Sequence, residues 1–95
     1  MAIVMNMRWS GVTPQQYDET RRRVDWEGNR PVGGNFHVSS FDGDGLRVTD
    51  IWASAEDFQR FVVERLNPVV QEMGLAGEPH VEITPVHAIY APAYD

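Results

Sequence analysis

Cysteine is absent from this 95-residue chain, and several chemistries go with it. Disulfide frameworks, zinc–thiolate sites, iron–sulfur clusters and thiol nucleophiles are all excluded. Long apolar runs are missing too. None approaches the roughly 18 residues that a membrane-spanning helix needs. Positive charge is scarce: 8 Lys and Arg stand against 14 Asp and Glu, for a net charge of -6. Nucleic acid demands clustered cations, so it is not expected as a partner. The only basic run, Arg21-Arg22-Arg23, is flanked by Asp18, Glu19, Asp25 and Glu27 and reads as a solvated helix face. The N-terminal MAIVMNMRW has neither a basic n-region nor a small-residue cleavage site, which sets a cytoplasmic expectation.

What is present suits one small domain over residues 1–95, with 42% hydrophobic residues. The chain is organised around Gly34 to Asp57. Asp42-Gly43-Asp44-Gly45 is a hairpin turn, because Gly and Asp tolerate the positive φ angles such turns use. Symmetric closure sets His37 opposite Asp50, Phe36 opposite Ile51 and Asn35 opposite Trp52. One face then carries Phe36, Val38, Thr49 and Ile51, which suits a core. The other carries Asn35, His37, Ser39, Phe41, Leu46, Val48, Asp50 and Trp52. A slip of one residue would scramble both faces.

Before the hairpin, Ile3 to Trp9 alternates as a strand. Thr13-Pro14-Gln15-Gln16 then opens a helix to about Trp26, with a capping box and Pro at the first turn. Its apolar stripe is thin: Tyr17, Thr20 and Val24, with Trp26 at the end. Gly28 to Gly34 is a loop. After the hairpin, Ser54 caps a second helix with Asp57 as acidic partner. Phe58, Phe61, Val62, Leu66, Val69, Val70 and Met73 recur at helical spacing. Pro68 predicts a kink or restart at Asn67, and Gly74 a C-cap. His80 to Tyr90 alternates as a last strand, with Pro85 marking an edge or bulge. The order βαββαβ predicts an α+β, ferredoxin-like fold: one four-stranded antiparallel sheet with both helices on one face.

Helices on one side leave the other bare. Assigning the His37, Phe41, Val48 and Trp52 face to that bare side predicts a homodimer closed through it, with a shared cavity. On the first strand, Ile3, Met5, Met7 and Trp9 are assigned to the helices, and Asn6 and Arg8 to the open face.

The pattern resembles the dimeric α/β-barrel superfamily, and within it the antibiotic-biosynthesis-monooxygenase-like group. Trp52 running into Ala53-Ser54-Ala55-Glu56-Asp57-Phe58 and then Phe61 carries the likeness. The helix start Gly11-Val12-Thr13-Pro14-Gln15-Gln16-Tyr17 is also similar. The resemblance implies a cofactor-independent oxygenase, isomerase or cyclase acting on a small aromatic or polyketide-like molecule. The alternative is a non-catalytic small-molecule or haem-binding dimer, or an accessory subunit. For the haem-degrading branch, Asn6 and Trp52 match, but Phe61 or Val62 stands where that branch places a His.

His37 with Asp50 is the most chemical pair in the chain. A carboxylate beside an imidazole fixes the tautomer and leaves the other nitrogen able to accept a proton. The plainer reading of the pair is a polar cross-strand contact, since opposite charges across strands are common stabilisers. Asn6, Arg8, Asn35, Phe41 and Trp52 are the candidate substrate contacts. His80 reads as exposed and His87 as structural. No metal-ligand spacing stands out, and the glycines near Asp42 and Asp44 do not form a phosphate loop.

Overall fold

The structure is a computed structural model and describes residues 1–94. Strand β1 (Ile3–Ser10) leads to helix α1 (Pro14–Val24), then to the hairpin β2 (Gly34–Phe41) and β3 (Gly45–Trp52). Helix α2 (Ala55–Phe61), a π-helical turn (Val62–Leu66) and helix α3 (Asn67–Met73) follow, and β4 (His80–Pro85) ends the order. The sheet has four strands in the order β2-β3-β1-β4, and every pairing is antiparallel. This is the α+β, ferredoxin-like arrangement.

Local chemistry explains most of the boundaries. Thr13 Oγ1 accepts from the Gln16 N–H, and the Gln16 side chain accepts from the Thr13 N–H, which completes the capping box. Helix α1 stops at Asp25, whose φ of 55° is left-handed. That turn swings Trp26 out of the helical register, and its ring comes to rest on His37, 3.9 Å between centroids. Ser54 caps α2 through the Asp57 N–H at 3.1 Å. Asp57 does not reciprocate; its carboxylate pairs with Arg60 at 3.1 Å. Pro68 has no N–H to give and its ring would meet a carbonyl of the preceding turn. The chain answers with the π turn, where the Asn67 N–H reaches back to the Val62 carbonyl. Gly74 closes α3 at φ 67°.

The hairpin register of Phe36 to Phe41 is as the turn predicts, with His37 opposite Asp50. It slips beyond Phe36, where Gly34 rather than Asn35 faces Trp52 across a β-bulge. The turn is tied by Asp42, whose carboxylate accepts the Asp44 and Gly45 N–H groups at 2.8 and 3.0 Å. Arg47, with these two N–H groups, holds the Asp42 carboxyl down at about 2.

Strand β1 decides which face of the hairpin is covered. Leu46 pairs with Trp9, Val48 with Met7, Asp50 with Met5 and Trp52 with Ile3. Paired residues share a face. The apolar side of β1 lies under the helices, as expected, and it carries the His37 face with it. The core is Ile3, Met5, Trp9, Val12, Val24, Leu46, Val48, Trp52, Phe58 and Phe61. The assignment of His37, Phe41, Val48 and Trp52 to the helix-free side is therefore corrected. Phe36, Val38, Thr49 and Ile51 occupy that side instead. The last strand is shorter than its alternation suggests, and His87 lies beyond it, exposed.

Gly45 offers a test of the packing at the β1–β3 end. A methyl group there would run into the Trp9 carbonyl oxygen and lie 2.9 Å from the Gly11 nitrogen. Both neighbours are backbone and cannot swing aside. Gly45→Ala is expected to destabilise the domain by about 1–3 kcal/mol, the usual range for overpacking, read as a lower urea midpoint at unchanged slope.

Candidate active site

The site is built outward from Asp50. It lies at the middle of the sheet on β3 and is only 4% exposed. A buried carboxyl group without partners costs several kcal/mol. Asp50 has a partner on each oxygen. Trp52 Nε1–H donates to Oδ2 at 3.0 Å, and His37 Nδ1 lies 2.6 Å from Oδ1. The first bond exists because residues two apart on a strand share a face. The second comes from the hairpin register.

The imidazole is engaged at its other nitrogen as well. Tyr17 on α1 brings its hydroxyl to 2.6 Å from His37 Nε2. With Nδ1–H given to Asp50, Nε2 is the acceptor and the Tyr17 O–H donates. The result is a continuous chain: Tyr17 O–H to His37, His37 N–H to Asp50, and Trp52 N–H to Asp50. The ring planes of Tyr17 and His37 differ by only 4°. Trp26 stands nearly perpendicular to the imidazole, at 77°, and Phe41 meets the Tyr17 ring edge-on, centroids 6.1 Å apart.

Tyr17, His37 and Asp50 of this chain form one corner of a cavity of about 490 Å³ between sheet and helices. The rest of the wall is overwhelmingly apolar, including Met5, Trp9, Val48, Phe58 and Phe61. Its size suits a small organic ligand. A second pocket of about 220 Å³ shares Arg21, Trp26, His37 and Asp50 with the first. Arg30, Asn35 and Trp52 also line it, and Arg30 Nη2 donates to Asn35 Oδ1 at 3.2 Å.

Of the residues singled out from sequence, His37, Asp50 and Trp52 converge. Phe41 stands at the rim beside Tyr17, and Asn35 lines the smaller pocket from the bulge. Asn6 and Arg8 do not join them. They are exposed on the opposite face of the sheet, where Thr49 Oγ1 donates to Asn6 Oδ1 at 2.8 Å. Tyr17 and Trp26 are the site residues that sequence reasoning placed only in a helix stripe. The capping box fixes where α1 starts, and so aims Tyr17 at the sheet, but no pattern in the chain links it to His37.

Haem does not suit these residues. Asn6 and Trp52 lie on opposite faces, Phe61 packs its ring 5.2 Å from that of Trp52, and both nitrogens of His37 are engaged. Among the described residues, no three His, Asp or Glu side chains are grouped to hold a metal ion. No helix among them is long and apolar enough to cross a membrane.

No family profile matches the chain, and no curated protein matches it significantly. Solved structures do. A protein of unknown function from Nitrosomonas europaea, NE2512, aligns with a TM-score of 0.70 at 16% identity, over 97% of this chain and 95% of the other. SnoaB, a cofactor-independent oxygenase from Streptomyces nogalater, aligns at 0.65 and 13% identity, over 93% and 94%. The fold is the ferredoxin-like one of the antibiotic-biosynthesis-monooxygenase-like proteins. A candidate antibiotic biosynthesis monooxygenase from Chloroflexus aurantiacus J-10-fl shares it at a TM-score of 0.61 and 17% identity, over 95% of each chain. At such identities the likeness is one of fold.

Trp52→Phe tests the inner end of the hydrogen-bonded chain. Phenylalanine keeps an aromatic ring against Phe58 and Phe61 but strips a donor from buried Asp50 Oδ2. The unsatisfied acceptor is expected to cost about 1–3 kcal/mol, on top of the lost ring volume. Pairing it with Asp50→Asn in a double-mutant cycle measures the coupling, which should exceed about 0.5 kcal/mol.

Proposed function

We propose that this protein is an enzyme that removes a proton from a small aromatic or polyketide-like substrate, with the His37–Asp50 pair as general base. One observation carries the reading: a polar chain through the core, Tyr17–His37–Asp50–Trp52, reaches the wall of a predominantly apolar cavity. Polar groups at such a depth destabilise a core unless fully paired, and a single polar corner suits a proton transfer away from water. The chain has neither cysteine nor lysine, so thiol nucleophiles and Schiff bases do not compete. Deprotonation leaves an electron-rich enolate or phenolate. An enolate can take up dioxygen directly: a CH₂ group becomes C=O, and the second oxygen atom leaves as water. Isomerisation or cyclisation begins with the same deprotonation. SnoaB, described as a cofactor-independent oxygenase, is consistent with the oxygenase form.

The experiment is oxygen uptake and product analysis over a panel of polyhydroxylated polycyclic aromatics. His37→Ala and Asp50→Asn should each lower turnover by about 10²–10⁴, the range for a general base. Turnover within about threefold of wild type in both variants would remove the pair from catalysis. Tight ligand binding with no chemical change would favour a non-catalytic binding protein.

The proposal includes a homodimer, assembled through the helix-free face rather than the His37 face. Val38 is 48% exposed there, and Val4, Phe36 and Ile51 are only half-buried. An apolar sheet face of this kind is a natural association surface. Each cavity would then lie within its own protomer. Sedimentation should give twice the 10.8 kDa chain mass for wild type and the single chain mass for Val38→Glu. A wild-type monomer at micromolar concentration would end this assembly.

A further inference from the structure

We propose that the phenol oxygen of Tyr17, not an imidazole nitrogen of His37, is the atom that exchanges a proton with the substrate, and that the group it serves is a phenolic or enolic hydroxyl. The inference rests on the deprotonation reading above and assigns the contact atom within it. Both nitrogens of His37 are occupied, Nδ1 by Asp50 and Nε2 by Tyr17, each at 2.6 Å. Trp26 covers one face of the imidazole at 3.9 Å. A ligand in the larger cavity can meet the relay at Tyr17, which lines that cavity.

The geometry of Tyr17 is fixed from several directions. The capping box of Thr13 and Gln16 sets its place on α1. The edge of Phe41 supports its ring, and its plane is aligned with that of His37. A hydroxyl held in this way has one proton to give and lone pairs to accept another. The step balances as follows. The substrate O–H bond breaks and its proton bonds to the Tyr17 oxygen. The Tyr17 O–H bond breaks as its proton bonds to His37 Nε2. The products are a substrate anion, a neutral tyrosine and an imidazolium facing Asp50. Nothing is oxidised or reduced. Because the cavity wall is predominantly apolar, the substrate it admits is a mostly apolar molecule with few hydroxyls.

A coloured phenol tests this without turnover. p-Nitrophenol is yellow as its anion and colourless as its acid, so its absorbance reports where the proton lies. It is titrated into the intact protein at the pH where the free dye is half ionised. Wild type should bind it mainly as the anion. Tyr17→Phe, which removes only the hydroxyl, should still bind the dye, but with the bound anion-to-acid ratio reduced by about tenfold or more, the effect of one pKa unit. His37→Ala should lose the anion similarly while keeping Tyr17. An undiminished anion in Tyr17→Phe would mean that His37 accepts directly, and overturns the proposal. An undiminished anion in His37→Ala, or failure of wild type to bind the dye, also overturns it. Thermal unfolding checks that Tyr17→Phe folds; if it does not, His37→Ala alone decides. Oxygen uptake and dye protonation are separate readouts, so the enzyme reading can fail with the relay intact, and the relay with the enzyme reading intact.

Discussion

A carboxyl group in the middle of an apolar layer must be given partners, and Asp50 is that group here. Its neighbours on the covered face of the sheet are Met5, Val48 and Trp52. Without Trp52 Nε1 and His37 Nδ1, Asp50 would cost more than most single contacts in a domain this size can offset. This constraint reaches the backbone. His37 meets Asp50 only in one hairpin register, and a slip would bring an apolar or hydroxyl side chain to that point. Trp52 fills the space at the strand end so completely that Gly34 is its opposite residue; a Cβ on Gly34 would come within 3.3 Å of the indole. The bulge at Asn35 accommodates the ring while keeping His37 in register.

The volume beside this polar chain is the second organising feature. Ten apolar side chains form the core, yet about 490 Å³ beside them is not filled by protein atoms. The space is partly open to solvent, so it is a cleft between sheet and helices rather than a sealed void. The π turn before Pro68 and the left-handed residue Asp25 both lie along its edge. One widens the helix that roofs it, and the other brings Trp26 down onto His37. Both are departures from regular helix at a point where a regular helix would pack the space more simply.

Local chemistry was largely legible in the sequence. Turn residues set the hairpin, Thr13 and Ser54 cap the helices, and Pro68 interrupts the second one, because each acts on its immediate neighbours. The element order followed from these. The failures are non-local. Periodicity sorted the hairpin residues correctly onto two faces, but cannot say which face the helices cover, since Phe36, Val38 and Ile51 are as apolar as Leu46, Val48 and Trp52. The β1–β3 pairing decides it, through contacts 35 to 49 residues apart in sequence. The same ambiguity grouped Asn6 and Arg8, which do lie on the helix-free face, with a His37 site that lies on the other. Tyr17 escaped notice because its partner is twenty residues away, and because a tyrosine on an apolar stripe looks like ordinary packing.

The distribution of polar atoms around the cavity limits what it can recognise. Tyr17, His37 and Asp50 meet at one corner of the wall, bonded to one another and, through Asp50, to Trp52. The rest of the wall is mostly aromatic and aliphatic, with Thr20, Arg21, Asn67, Gln71 and Glu78 as its other polar residues. A wall of this kind discriminates by shape and by the few hydroxyls that it can pair. A missing methylene is felt only weakly in an apolar pocket, about 10–200-fold, whereas loss of a hydrogen-bonded hydroxyl leaves a site group unpaired and is rejected more strongly. For phosphorylated or multiply charged molecules the larger cavity's wall offers a single guanidinium, that of Arg21. Arg21 reaches both pockets but is paired with Glu27. The smaller pocket sets Arg30 and Asn35 beside the same His37 and Asp50, so its wall is the more polar of the two.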